Sequence, residues 1–463
     1  MKTPRPARVA STAALLFAFS FAVMADPVSS VAYAIEAALR ALHGHLGLLV
    51  LTMALVLAII YLVKVNYDQL IRRFPEGGGA VAAAGAAFGE GWAFLPLGAL
   101  IVDFVLTISI SVAAAASAVI AYFPSLDGGR TWIAIGLLTF VAALTWFGHL
   151  GRRVFATMTA AFLAAAVPVI VLGFLAPSGH GTAPVEGTGG GVGFLTVLLA
   201  FPVAMALATG VEAPASAIAQ LGQLEEGQKE RFGHVTLWLT VLITAALTFS
   251  ISLLAVRLHV GVPREGSTMI ADVARTSTGK GVFYALFQLT SSLLLLAAAS
   301  SSFQAGPGLL KALARHARPN GEQVGILPGA LGRTNAHHTP YWSVVVYLGV
   351  SAAVVVVAGG HDQELVLFYA VAVFVSFLAG LLAMVRFSVS ERDRRHLVIN
   401  AVGAVVVAFT IAINLRRGYP IVSLAASVGI GAFFYRLWVR RGRPRGIAMA
   451  ELEAEAGLAA DDP

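Results

Sequence analysis

Apolar runs long enough to cross a lipid bilayer recur along the whole chain, and they leave it one kind of fold. Inside hydrocarbon every backbone N–H and C=O must be satisfied within the segment itself, so each such run has to be a helix of about twenty residues. Runs of this kind lie near residues 9–41, 46–65, 92–122, 132–149, 154–175, 192–222, 233–256, 282–303, 341–358, 364–386, 397–415 and 420–438. The expected fold is therefore an all-α polytopic membrane protein with twelve transmembrane helices. With 58% hydrophobic and 12% charged residues and a mean hydropathy of +0.82, the chain is too apolar for a water-facing surface.

Twelve crossings put both ends on one side, and charge says which. Lys and Arg that flank spans stay on the cytoplasmic face. With both termini inside, 23 of the 31 basic residues fall on that face, including Arg72-Arg73, Arg152-Arg153, Arg394-Arg395 and the cluster from Arg440 to Arg445. The expected location is the cell membrane, multi-pass. The high isoelectric point thus follows from topology, and a nucleic-acid partner, which needs a solvated basic surface, is not implied. The basic C-terminal flank can attract anionic membrane lipid. Lys2, Arg5 and Arg8 before an apolar run ending at Ala25 mimic a secretory signal, but apolar sequence resumes at Val31, so the segment reads as one interrupted span. Without a single cysteine, disulfides, thiolate metal sites and cysteine nucleophiles are excluded.

Two spans are interrupted by short polar stretches, each bearing a carboxylate: Ala25-Asp26-Pro27-Val28-Ser29-Ser30 in the first and Thr209-Gly210-Val211-Glu212-Ala213-Pro214 in the sixth. A carboxylate in hydrocarbon costs at least about 2.5 kcal/mol, so it faces a bundle interior, a cavity or a partner. Spans 1 and 6 are the first members of two five-span halves. That spacing predicts a 5+5 inverted repeat with discontinuous helices meeting near the midplane, repeat one over 9–175, repeat two over 192–386, and helices 11 and 12 (397–438) outside it. The plain alternative is that Pro27 and Pro214 merely kink two helices. Span 3 adds Asp103, Thr107 and Ser111 at four-residue intervals on one helix face, a stripe of oxygen ligands. Its structural alternative is that Asp103 accepts orphan N–H groups of the interrupted helices. Thr209 with Glu212, Asp26 with Tyr33, and Tyr369 in span 10 can reach the same cavity, although packing alone also explains the tyrosines.

The sign of these groups discriminates between substrates. A carrier of amino acids must hold a carboxylate, whereas Asp26, Asp103 and Glu212 near one site repel it and attract a cation unless some of them are protonated; a neutral Asp26 readmits an amino acid. Three neighbouring acids without a counter-charge cannot all stay ionised, so one of them, Glu212 first and Asp26 second, is the expected proton carrier. Hard oxygen ligands suit an alkali cation, and nothing suits zinc or copper.

These residues resemble the amino acid–polyamine–organocation (APC) superfamily, and within it the KUP-type proton-coupled potassium uptake permeases. The similar stretches are Asp26 to Ala34, Phe74 to Ala80, Val102 to Ser111, and Thr209 to Glu212, which cover mainly the first half of the chain. The resemblance implies a secondary active transporter that imports potassium by proton symport with alternating access. Its substrate site is carried over to Asp26, Tyr33, Asp103, Thr107, Ser111, Thr209, Glu212 and, more weakly, Tyr369, with potassium at Asp103, Thr107, Ser111 and Thr209. The alternative is a proton-coupled amino acid or polyamine permease of the same superfamily. Pro27-Val28 departs from the pattern after the first acid, and the short sequence after the last span implies no nucleotide-binding regulation. No cofactor is implied, and a homodimer stays open.

The rest is organised as one transporter domain, 1–445, and a short acidic cytoplasmic tail, 446–463, expected to be disordered, with partial helix as the alternative. The longest polar connections are expected at 306–340 and 260–280. Glu76-Gly77-Gly78-Gly79 lacks the Lys and Ser/Thr of a phosphate loop and reads as a turn between spans 2 and 3. His43-Gly44-His45 and His337-His338 fall short of a metal site. Thr290-Ser291-Ser292 and Ser300-Ser301-Ser302 either line the interior or satisfy helix contacts. No Ser, His and Asp share one depth, so an enzyme is not expected.

Overall fold

The computed structural model describes residues 12–148, 151–179, 193–221, 224–315 and 325–460; the basic residues Lys2, Arg5 and Arg8 and the tail acids Asp461 and Asp462 lie outside them. All regular structure among the described residues is helical. Ten helices are long and apolar enough to cross a membrane, from Leu46–Arg73 to Pro420–Arg440. Span 1, built from Thr12–Val23, Ala25–Ser29 and Val31–Ala41, and span 9, Tyr341–Val357, complete the series. The element order repeats: a ten-residue helix, Gly79–Phe88, joins spans 2 and 3, and another, Met269–Thr278, joins spans 7 and 8. Five spans is an odd number, so the second half runs through the membrane upside down relative to the first.

Three spans continue past their apolar runs. Span 2 reaches Arg73, span 7 occupies Glu226–Leu258 and span 8 extends to Arg315, so the connection expected from 306 begins as helix. The physical reason is that these polar extensions are enclosed by protein. Lys64 is buried in span 2, ion-paired with Asp68, and its ammonium sits 3.5 Å over the Trp238 ring of span 7. His234 Nδ1 lies 2.7 Å from the other Asp68 oxygen. Asn400 of span 11 exchanges two bonds with Gln69, at 2.8 and 3.3 Å, and accepts a third from Asn66 at 3.0 Å. With little water to compete, such polar ties fasten neighbouring spans.

The acidic tail is a correction. It is ordered into Ile447–Met449 and the helix Ala450–Ala460, with Ile447, Ala448, Ala450, Glu451 and Ala454 buried. Ala and Glu are strong helix formers, and the Ala face finds an apolar seat.

Apolar packing divides into two main cores. One joins spans 1, 2, 5, 6, 7, 10 and 11. The other joins span 4, span 9, the C-terminal half of span 8, span 12 and the tail, while spans 3 and 8 contribute to both. Span 12 meets span 3 backbone to backbone: a Cβ at Gly98 would lie 2.3 Å from the Ser427 carbonyl oxygen and 2.7 Å from Gly431 N. Gly98→Ala therefore has to push span 12 away, at a cost of about 1–3 kcal/mol. A lower unfolding midpoint in detergent is the expected result, and an unchanged midpoint would contradict the tight crossing.

Candidate functional site

The two interruptions are unequal. In span 1 the backbone stays in the right-handed helical region at Met24 (φ −76°, ψ −4°) and Ser30 (φ −64°, ψ −21°), so Pro27 bends the helix rather than unwinding it. Span 6 truly unwinds: the helix Phe194–Ala204 tightens into Met205–Ala208, Thr209 turns extended (ψ 134°), and Gly210 takes φ +72° before helix resumes at Ala213–Ala217. Only glycine adopts that φ freely.

The bend and the unwound stretch are pressed together. A Cβ at Gly210 would stand 2.7 Å from Pro27 Cδ and 2.9 Å from both Asp26 Cγ and Oδ2. The Ser30 hydroxyl donates to Pro27 O at 2.6 Å and to Leu207 O at 3.2 Å, linking the two spans. Thr209 donates to Ala206 O at 2.6 Å, and its side chain is also a partner of the buried Tyr33 phenol. Asp26 Oδ1 and Glu212 Oε2 are buried without a hydrogen-bond partner.

From span 3, Asp103 and Thr107 meet span 10. The Tyr369 hydroxyl donates to Asp103 Oδ1 at 2.5 Å and lies 3.1 Å from Thr107 Oγ1; all three residues are buried. Tyr369, the weakest of the carried-over residues, thus holds the tightest contact in the site. Ser111 Oγ is buried but unpaired, joined to none of the others. Asp103 is an electrostatic neighbour of Asp26 and of Glu212, and no basic side chain is among the charged neighbours described for these three acids. The arrangement can coordinate a small cation through oxygen and hold a proton on one of three carboxyls.

A cavity of about 620 Å³ opens among the connections between spans 3 and 4, 7 and 8, and 9 and 10, lined in part by Glu36, Arg40, Ser117, Arg130 and Asp362. Glu36 accepts Met269 N at 2.9 Å and pairs with Arg40 at 2.8 Å. Asp362 accepts the Ser117 hydroxyl at 2.7 Å, and Gln363 bridges Asp362 to the Tyr33 carbonyl at 2.9 and 3.3 Å. This vestibule was not foreseen, although Glu36, three residues after Tyr33 in a largely apolar stretch, signalled it. Also missed was a hydroxyl file on span 7, Thr236, Thr240, Thr244, Thr248 and Ser252, all buried. Thr236 meets Ser20 of span 1 at 2.7 Å, while the other four hydroxyls are unpaired. The histidine pairs gather no metal-binding group among the described residues.

The potassium transporter KimA of Bacillus subtilis is 28% identical over 404 residues, which is 82% of this chain and 63% of that protein, so the chain spans less than two thirds of its relative's length. Among solved structures, two single-residue mutants of a manganese transporter from Eremococcus coleocola align over 95% of this chain and 96% of theirs, each at 13% identity and a TM-score of 0.48. Residues 13–435 match the amino acid permease family, and with that match spanning nearly the whole chain, the protein belongs to this family of transporters within the APC superfamily.

Proposed function

We propose that the protein is a secondary active transporter that imports potassium by proton symport with alternating access. The observation that carries this reading is the oxygen-only site: Asp103, Thr107 and Tyr369 bonded together, facing two interrupted spans whose acids Asp26 and Glu212 each keep a buried, unpaired oxygen. A buried carboxylate without a cationic partner binds either a cation or a proton. Potassium is held by Asp103, Thr107, Ser111 and Thr209, with Asp26 and Tyr33 beside them, and Glu212 carries the coupled proton. The name of the Bacillus relative supports the choice of ion. On this reading the domain is 1–445, both termini are cytoplasmic, and the protein resides in the cell membrane among lipids it contacts directly.

Purified protein in proteoliposomes is expected to accumulate rubidium when an inward proton gradient is imposed. Accumulation of amino acids or polyamines, with no rubidium flux, would overturn the potassium reading and leave the same site serving an organic substrate. Tyr369→Phe removes one donor to Asp103 and the partner of Thr107. Loss of a hydrogen bond to a charged group raises the rubidium half-saturation about tenfold. An unchanged half-saturation would take Tyr369 out of the site.

A further inference from the structure

We propose that the tail helix, Ala450–Ala460, is the closing element of the pathway on the face where it packs, and that Glu451 is its catch. Ser216 lies one helical turn beyond Glu212 in span 6, and its hydroxyl donates to Glu451 Oε1 at 2.5 Å. The bond crosses from one main core to the other. Ala215 and Ile218, around Ser216, pack in the first, whereas Ile447, Ala448, Ala450 and Ala454 pack in the second. A contact that joins the two cores one turn from Glu212 holds the exit shut while it is made and frees it when it breaks.

The triglycine turn is shaped for this catch. Gly77, Gly78 and Gly79 all have positive φ. A Cβ at Gly79 would lie 2.9 Å from Ser216 Oγ and 3.2 Å from Glu451 Oε1, so a side chain there would occupy the place where hydroxyl and carboxylate meet. Glu76, just before the turn, is anchored by Lys229 of span 7 at 2.8 Å. The tail's entry is fixed as well: Gly446 N and Ala448 N donate to the Glu90 carboxylate at 2.7 and 3.1 Å. Glu451 is 7% exposed, and an acid enclosed to that degree has to be hydrogen-bonded, as it is by the Ser216 hydroxyl.

The proposal rests on the transport reading only for what passes through the exit, so its test needs no substrate. Because the chain has no cysteine, Ala219→Cys supplies a single thiol, placed where the tail covers span 6 and where the missing side chain of Gly77 leaves room. In inside-out vesicles a membrane-impermeant maleimide labels this thiol slowly. Adding Glu451→Ala removes the catch, and adding Gly85→Leu displaces the tail from the other side, since even a Cβ at Gly85 would lie 2.4 Å from Ala448 Cβ. Glu451→Ala is expected to speed labelling about tenfold through the lost charge-assisted hydrogen bond, and Gly85→Leu to speed it by steric displacement, whereas Glu451→Gln, which keeps an acceptor oxygen, stays near the parent rate. Gel filtration confirms that both variants are folded. Unchanged labelling in either Glu451→Ala or Gly85→Leu overturns the proposal. If labelling responds as expected but rubidium moves in no variant, the catch stands and the potassium reading fails.

Discussion

In Glu212→Gln, proton-driven accumulation of rubidium collapses while exchange of rubidium for potassium across the membrane persists. A pH difference of one unit is worth about 1.4 kcal/mol, enough for about tenfold accumulation by a carrier that moves one proton with each ion. Glutamine keeps the shape of the side chain but takes up no proton, so the accumulation ratio falls to the value the membrane potential alone sets. Glu212 is the right position because its Oε2 is buried and unpaired at the end of the unwound stretch, beside Asp103 and Asp26. Accumulation that survives the change moves the coupling role to Asp26, whose Asn variant then has to show the collapse instead.

Gly210→Ala is expected to abolish flux and to lower the unfolding midpoint together. Two separate costs act at this one position. The backbone sits at φ +72°, where an L side chain pays about 1–2 kcal/mol. The new methyl also lies 2.7 Å from Pro27 Cδ and 2.9 Å from the Asp26 carboxylate, an overpacking cost of about 1–3 kcal/mol. Relief requires the two interrupted spans to part, which removes Asp26 from its place beside Thr209 and Glu212. Uptake within twofold of the parent protein would mean that the close approach of these spans is not needed for transport.

Much of this architecture was legible because hydrocarbon is an undemanding reader: it registers only apolar length. The twelve runs became twelve spans for that reason, and the same reason explains the misplaced ends of spans 2, 7 and 8. Residues such as Lys64, Asp68 and Gln69 are polar yet enclosed by neighbouring helices, and hydropathy does not register enclosure by protein. The tail failed similarly. Its Ala and Glu content favoured a helix, but the seat that receives it, Gly79 with Ser216, lies hundreds of residues away in sequence.

Within the site, spacing served well where an acid accompanied it. Asp103 and Thr107 do share a face and a partner, and the Asp26 and Glu212 interruptions do meet through Gly210. Ser111 was placed on that face by the same spacing, yet its hydroxyl bonds to none of the other residues. The span 7 file from Thr236 to Ser252 repeats the four-residue interval and went unnoticed because it carries no charge. Tyr369 was weighed mainly as packing since a phenol in an apolar helix usually is; its hydroxyl in fact bonds to two residues of span 3, a contact that spacing along the chain does not reveal.

The amide cluster of Asn66, Gln69 and Asn400 makes span 11 a reporter for span 2. Amide bonds broken inside that protein enclosure find few replacements, so a displacement of span 2 is expected to carry span 11 with it. Val405 stands on the outer surface of span 11, 69% exposed. A fluorophore there would report from the lipid side on any displacement of span 2, without entering the proposed site.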